Sequence, residues 1–392
     1  MNCLSCAAAK IARKLGGTNK KTHMITTTLL RQFTNSAPTS HTPHHRIQYH
    51  RISALLQSTK HHSHVSRKPV SSTTTVSGRT GDANAAPIAV VAFGGNALLK
   101  RGEDLTMENQ QKNAQTAAEA VATLIRKQPN LRVCVTHGNG PQVGLLAEMD
   151  PMTGIDVLDA ETEGEIGYVL ELELSNALQK STDVVAMLTQ VVVDPKDPAF
   201  RHPTKFIGRS FKNKEEIDKL AADKGWTIAQ DGDSWRRVVA SPEPKAIVEA
   251  RAIEILLKAG VIVIACGGGG IPVAVDEEGS KRKFGVQAVV DKDAASALLA
   301  ANLGAAWLIM LTDAAAVYDP DAWQRNEKIP LPSPIACARI EEKMEKFPKG
   351  SMGPKMAAAC WFVRKTGGKA AVGNLEDLTK IMSGVAGTVI VP

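Results

Sequence analysis

The sequence predicts an α/β fold in which helices cover both faces of a largely parallel sheet. Three observations predict it. From residue 86 onward, short aliphatic runs alternate with stretches of helical period. Hydrophobic residues make up 43% of the chain and aromatics only 4%, the aliphatic core that buried parallel strands favour. Glycine-rich or charged turns end the aliphatic runs, and the carboxyl edge of such a sheet is where ligands gather.

Length and charge narrow the classes. The 392 residues hold no apolar run of about 18 residues, so a membrane span is not expected. The net charge of +7 belongs to the first 85 residues, which carry 12 Lys/Arg against Asp82 alone. The remaining 35 basic and 39 acidic residues give −4, so a nucleic-acid partner is not expected. Residues 1–85 are rich in Ser, Thr, Arg and His and lack a long apolar centre, the composition of an organelle transit peptide. Within them, residues 31–36 read Arg-x-Phe-x-x-Ser, similar to a mitochondrial presequence cleavage pattern. Mitochondrial import is the expectation and plastid import the alternative; a tail that stays attached, with a cytoplasmic protein, is the other reading. The six cysteines form no zinc-site spacing, and those of the body read as reduced and mostly buried. Cys266, beside a glycine run, is the thiol whose reactivity has to be asked.

The elements follow in order. Residues 88–93 are a buried strand that stops at Gly94-Gly95-Asn96 and hands over to a helix start. Such a junction aims backbone N–H groups and a helix dipole at one point, which suits phosphate. Residues 108–127 are an amphipathic helix, and 131–136 a second strand running into His137-Gly138-Asn139-Gly140-Pro141. This GxGxxxG spacing imitates a dinucleotide fingerprint but lacks its acidic partner about 20 residues on. His137 reads as a packed residue, not a catalytic base. Residues 159–179 read as a helix and 183–193 as one strand. Composition then shifts over about 194–243, with prolines, charges, Trp226 and Trp235, as in an inserted subdomain or lid. Residues 244–258 read as helix and 261–266 as a buried strand ending in four glycines, 267–270. A strand at 286–290 delivers Asp291-Lys292-Asp293 to a helix starting at 294. Acids there are ordinary capping, whereas a Lys opposes the dipole and reads as functional. A strand at 306–311 ends in Thr312-Asp313, residues 347–355 open a helix with Lys355 near its start, and 370–372 and 388–391 are closing strands.

These turns offer many N–H donors, two lysines and a few aspartates. Phosphoryl transfer needs this kit, because positive groups must meet charge on the moving phosphoryl. Neither a Walker A sequence nor a protein-kinase motif set is present.

Here the chain resembles the carbamate kinases of the amino acid kinase superfamily. The resemblance rests on VVAFGGNALL (90–99), HGNGPQVGLL (137–146), DAETEGEIGY (159–168), GGGGIPV (267–273), VVDKDAASALLA (289–300), LTDAAAVY (311–318) and GSMGPK (350–355), and it extends over nearly all of 88–392. It implies a three-layer α/β/α sandwich around a mostly parallel sheet of about eight strands, a homodimer, and a lid near 194–243. It implies the reversible reaction of carbamoyl phosphate and ADP to carbamate and ATP, with Mg²⁺ held mainly by the nucleotide phosphates and no protein metal ligand assignable. Lys292, Asp293, Lys355 and the lid residue Lys205 would be catalytic. Gly94, Gly95, Asn96, Gly138, Asn139, Gly268 and Gly269 would bind the substrate. Asp313, Tyr318, Met352 and Lys355 would hold the nucleotide. Whether Asp291 or Asp293 organises the lysines stays open. Ala314-Ala315-Ala316 depart from the family, which has an Asp before Val-Tyr. Alternatives are another kinase of the superfamily, acting on acetylglutamate or UMP, and a Rossmann-type NAD oxidoreductase; Asn96, where acetylglutamate-type kinases carry Lys, argues against the first.

Overall fold

The computed structural model describes residues 86–95, 103–179, 182–276, 280–348 and 350–392. The leader, 1–85, and Asn96 lie outside the described residues.

In chain order the elements begin β1 (Ile88–Phe93), α1 (Met107–Lys127), β2 (Arg132–Thr136), α2 (Gln142–Met149), α3 (Ile155–Leu178), β3 (Val184–Ala186) and β4 (Gln190–Val193). Then come β5 (Lys205–Phe211), α4 (Lys214–Lys224), β6 (Thr227–Asp231), β7 (Ser234–Val239), β8 (Pro244–Ile247), α5 (Ala250–Lys258) and β9 (Ile262–Ile264). The chain continues with β10 (Ile271–Val275), β11 (Lys283–Gly285), α6 (Lys292–Asn302), β12 (Trp307–Thr312), α7 (Pro320–Gln324), β13 (Ile335–Ala336) and α8 (Cys337–Glu341). It closes with α9 (Met352–Thr366), β14 (Lys369–Asn374), α10 (Leu378–Met382) and β15 (Thr388–Val391).

The main sheet has eight strands in the order β13-β15-β14-β12-β1-β2-β9-β3. Its neighbours pair in parallel except β14 with β15. This is the α/β sandwich with a mostly parallel sheet that the sequence predicts. β1 lies at its centre and every residue of it is buried. Side chains alternate between faces along a strand, so β1 feeds two cores. Val90 and Ala92 join one, with Ile253, Leu299, Met310 and Phe362. Ala89, Val91 and Phe93 join the other, with Ala117, Val121, Ile166 and Ile381. Helices on both faces thus explain why this strand is a continuous apolar run.

Three expectations need correction. Residues 183–193 are two strands in two sheets, because the chain bends at Met187-Leu188-Thr189 and β4 leaves for a second sheet, β11-β10-β4-β8. Residues 244–247 are strand, not helix; β8 runs antiparallel to β4, and the helix begins only at Ala250. Residues 286–290 form no strand; they are held by the isolated bridge Ala240–Ala288 and by the bond from Val286 N to the Pro272 carbonyl of β10 (3.1 Å), while α6 begins at Lys292, two residues earlier than expected. Between β4 and β8 the chain builds a separate three-stranded sheet, β5-β7-β6, with α4 packed on it.

This inserted unit meets the main body at a point without side chains. A Cβ on Gly144 of α2 would lie 1.9 Å from the backbone nitrogen of Gly208 in β5. Gly208 itself has φ +70, open to glycine at little cost. Beside this contact, Arg209 binds the Glu148 carboxylate through Nε (3.2 Å) and Nη2 (2.8 Å), and Lys224 Nζ donates to the Glu148 carbonyl (2.8 Å).

Candidate active site

The carboxyl ends of β12, β1, β2 and β9 bring four turns together. At the end of β1, Gly94 N–H donates to the Leu311 carbonyl (2.9 Å), and a Cβ there would meet that oxygen at 2.8 Å. Only glycine allows this approach of the β1 and β12 ends. After β2, the Cβ position of Gly138 faces Lys292 Cδ at 3.6 Å and the Gly95 nitrogen at 3.7 Å. The turns after β1 and β2 and the start of α6 therefore border one cleft.

α6 supplies the charge. Asp291 is its N-cap, and one oxygen accepts from Asp293 N (3.0 Å) and Ala294 N (3.1 Å). The other oxygen accepts from Lys205 Nζ of the inserted unit at 2.7 Å. Asp293 is buried between two lysines, accepting from Lys292 Nζ at 2.7 Å and Lys355 Nζ at 3.0 Å. Burial alone would raise the Asp293 pKa, but the two ammonium groups hold the carboxyl well below the usual carboxylate range. Burial lowers the Lys292 pKa, an effect that Asp293 opposes. The two aspartates thus divide the work: Asp293 joins Lys292 to Lys355, and Asp291 caps the helix and takes Lys205. A Lys in the first turn of α6 is tolerated because its neighbour in sequence neutralises it.

Lys355 lies in the first turn of α9, whose N-cap, Ser351, makes no side-chain capping bond. This helix start borders a cavity of about 650 Å³ that Gly94, Gly95, Asp313, Tyr318, Met352 and Lys355 also line. The expected nucleotide-side residues therefore share one space. Its wall includes Trp323, Lys328 and Asn374, which the sequence did not single out. The Tyr318 and Trp323 rings stack with centroids 5.7 Å apart. Ala314 and Ala315 border the same cavity.

Next to Gly138 in the chain, Asn139 is buried above the glycine run. A Cβ on Gly268 (φ +69) would fall 1.7 Å from Asn139 Oδ1, and one on Gly269 (φ +105) would fall 2.3 Å from the Val290 carbonyl. Both glycines are buried under other residues, so their lack of side chains lets Asn139 and the segment before Asp291 sit close. Gly268 N–H also donates to the His137 carbonyl at 2.7 Å.

His137 is buried, with Nδ1 donating to the Gly138 carbonyl at 3.0 Å, and burial lowers its pKa to about 4. It is a neutral packing residue. Cys266 is fully buried, and burial raises its thiol well above the usual range, which keeps it in the protonated form.

α3 contributes residues for which sequence reasoning gave no role. Asp159 accepts from Asn139 Nδ2 at 2.7 Å. Glu163 accepts from Gly267 N at 2.9 Å and Thr189 N at 3.1 Å, tying the glycine run to the bend between β3 and β4. Burial raises the Glu163 pKa to about 8. The missed signal was acids inside an apolar stripe: Asp159, Glu163, Ile166 and Leu170 follow at helical spacing and all are buried.

A family model described as the amino acid kinase family matches residues 87–374. The chain is 47% identical over 305 residues to carbamate kinase of Haemophilus influenzae, covering 76% of this chain and 95% of that protein. It is 46% identical over 307 residues to carbamate kinase of Rhizobium meliloti, covering 77% and 92%. Among solved structures, carbamate kinase from Giardia lamblia bound to AMP-PNP is similar with a TM-score of 0.69 and 36% identity, covering 78% of this chain and 99% of that one.

Proposed function

The chain belongs to the carbamate kinases of the amino acid kinase family, and on that premise we propose that it transfers a phosphoryl group directly between carbamoyl phosphate and ADP. The observation that carries the reading is the buried Lys292–Asp293–Lys355 array at the meeting point of the turns after β1 and β2. Carbamate oxygen is already anionic, so the transfer needs no strong base. It needs fixed positive charge aimed at the moving phosphoryl group. Lys292 would meet that group in flight, Lys355 would bridge to the nucleotide phosphates, and Asp293 would hold both ammonium groups in place. Gly94, Gly95 and Asn96 would cradle the phosphoryl side. Gly138 and Asn139, with Gly268 and Gly269 beneath, would form the carbamoyl side. Lys205 would reach carbamoyl phosphate from the lid formed by 194–243. The cavity beside Tyr318, Asp313 and Met352 would take the nucleotide; the Giardia relative's complex with AMP-PNP supports a nucleotide in this fold.

Among the described residues no cluster of three or more His, Cys, Asp or Glu could hold a metal ion. Asp291 and Asp293 are already engaged by lysines and a helix start. Mg²⁺ would therefore enter as part of the nucleotide substrate, and no step is assigned to a protein-held ion. Carbamoyl phosphate is a mixed anhydride, which favours the ATP-forming direction and a role in arginine or purine catabolism. The leader would direct the chain to the mitochondrion, with the plastid as alternative, and the working form would be a homodimer. Among the described residues no helix is long and apolar enough to cross a membrane.

A coupled assay of ATP formation from ADP, run with carbamoyl phosphate and with acetylglutamyl phosphate, tests the reading; UMP phosphorylation by ATP is measured alongside. Carbamoyl phosphate should be preferred by orders of magnitude. Equal or greater turnover of either alternative overturns it.

A further inference from the structure

Asn139 sits where the turn after β2 meets the glycine run, and its amide is ambiguous by nature. One end donates and the other accepts, and the two ends have nearly the same shape. Which end is left free to meet a ligand depends on what holds the amide. Two side chains of α3 touch it. Thr162 Oγ1 lies 3.1 Å from Asn139 Oδ1, but the same hydroxyl lies 3.1 Å from the carbonyls of Leu158 and Asp159. A hydroxyl also accepts as readily as it donates. Thr162 therefore cannot fix the amide by itself.

Asp159 can. One of its oxygens accepts from Asn139 Nδ2 at 2.7 Å, the shorter contact of the two. The residue is 1% exposed, and its second oxygen is buried with no hydrogen-bond partner among the described residues. Buried carboxyl oxygens are seldom left unpaired, because doing so costs stability without return in packing. Such a group calls for an explanation beyond packing. We propose that Asp159 is a positioning residue for the carbamoyl side of the reaction: by accepting from Asn139 Nδ2 it fixes the amide with its nitrogen end held, so that the second N–H is offered to the carbonyl oxygen of carbamoyl phosphate. The charge environment agrees. Burial raises the Asp159 pKa well above the usual range, yet either protonation state leaves Oδ1 able to accept. Asn139 stacked over Gly268 cannot swing away, so a flip of the amide about its own axis is the freedom that Asp159 removes.

The inference rests on the carbamate kinase reading, and the experiment separates the two. The full-length wild type is first assayed for ATP formation; failure to use carbamoyl phosphate removes the reading itself. Two variants then address Asp159. In Asp159→Asn the partner of Asn139 can both accept and donate, so both amide orientations are admitted. In the reciprocal exchange N139D/D159N the buried hydrogen bond can re-form with donor and acceptor interchanged, but the group offered to the cleft is reversed. The expected result is a KM for carbamoyl phosphate raised about tenfold or more in both, with the KM for ADP within twofold of wild type. The exchange should also melt closer to wild type than D159N does. A D159N enzyme with unchanged KM overturns the proposal. So does an exchange variant that recovers KM together with stability, since the pair would then serve the fold alone. If neither variant folds, the pair is a folding requirement and the positioning role is withdrawn.

Discussion

Replacing Asp293 with Asn removes one negative charge and almost no volume. The consequences can be worked from the site. Its carboxylate meets ammonium groups at 2.7 and 3.0 Å, and all three side chains are at most 13% exposed. The variant leaves two buried cations facing each other without their shared counter-charge. Breaking a buried ion pair from one side costs about 3–5 kcal/mol, which in a folded body of about 300 residues lowers Tm by about 5–8 °C. The kinetic loss comes from the same carboxyl group, since it places both lysines. One misplaced donor costs about 10²–10³ in kcat, or about 3–4 kcal/mol of transition-state stabilisation, and the variant should lose at least that much. A third effect separates electrostatics from misfolding. Burial already lowers the Lys292 pKa and Asp293 opposes that shift. Without Asp293 the pKa falls further, so the alkaline limb of the kcat profile moves to lower pH. Steady-state ATP formation between about pH 6 and 10, with thermal melts of the same samples, reads all three. A kcat within threefold of wild type, with an unmoved alkaline limb, refutes the argument that this carboxylate holds the lysines.

Lys292→Ala and Lys355→Ala should each remove most turnover while the protein stays folded, checked by ATP formation and circular dichroism. Lys205→Ala should raise the KM for carbamoyl phosphate about tenfold and leave that for ADP unchanged. Its effect on stability should stay below about 1 kcal/mol, because its pair with Asp291 is part-exposed and Asp291 keeps its helix cap. Glu163 predicts a pH effect with a definite sign. Its folded pKa is raised to about 8 from 4.5, so the folded state holds a proton that the unfolded chain releases, and stability falls as pH rises between these values. His137, lowered from 6.5 to about 4, gives the opposite slope between its two values, so above pH 6.5 the slope of Glu163 shows through, with any part added by the likewise raised Asp159 left unchanged in E163Q. Between pH 6.5 and 8 the loss is about 1–2 kcal/mol, and E163Q should flatten that part of a Tm-against-pH curve; an unchanged slope refutes it. Gly144→Ala would press a methyl group into the backbone of Gly208, at a cost of about 1–3 kcal/mol. Limited proteolysis should then cut more readily within 194–243, and the KM for carbamoyl phosphate should rise.

The parts of this protein that sequence made legible are those where one local signal suffices. β1 is an unbroken apolar run because both its faces are buried, and the turns at 94–95, 138–140 and 267–270 announce themselves by glycine. Lys292 and Lys355 were visible because a cation at a helix start runs against the dipole. What stayed hidden depends on distant partners. Residues 183–193 look like one strand, and only the bonds from Thr189 N to Glu163 and from Cys266 N to Thr189 Oγ1 show why the chain turns there. Pro244–Ile247 is strand because β4 lies beside it, a fact absent from its own composition. Asp159 and Glu163 acquire a role only once Asn139 and Gly267 are placed against them. Asp291 and Asp293, two residues apart, could be assigned different duties only once their lysines were located.

The strand pair at the root of the inserted unit has a consequence for how this architecture could arise. Val193 and Pro244 are partners on adjacent antiparallel strands. The chain thus leaves and re-enters the body at neighbouring points, as it does across a simple hairpin turn. In topological terms the whole of 194–243 is an enlarged hairpin loop that has acquired a sheet and a helix of its own. The entropy of closing a loop grows only with the logarithm of its length, so enlarging it step by step requires no rewiring of the phosphoryl-transfer core. A shortened chain that joins β4 to β8 through a tight turn would keep every strand of the main sheet and lose Lys205, giving a minimal version of the enzyme on which the contribution of the insertion can be measured by difference.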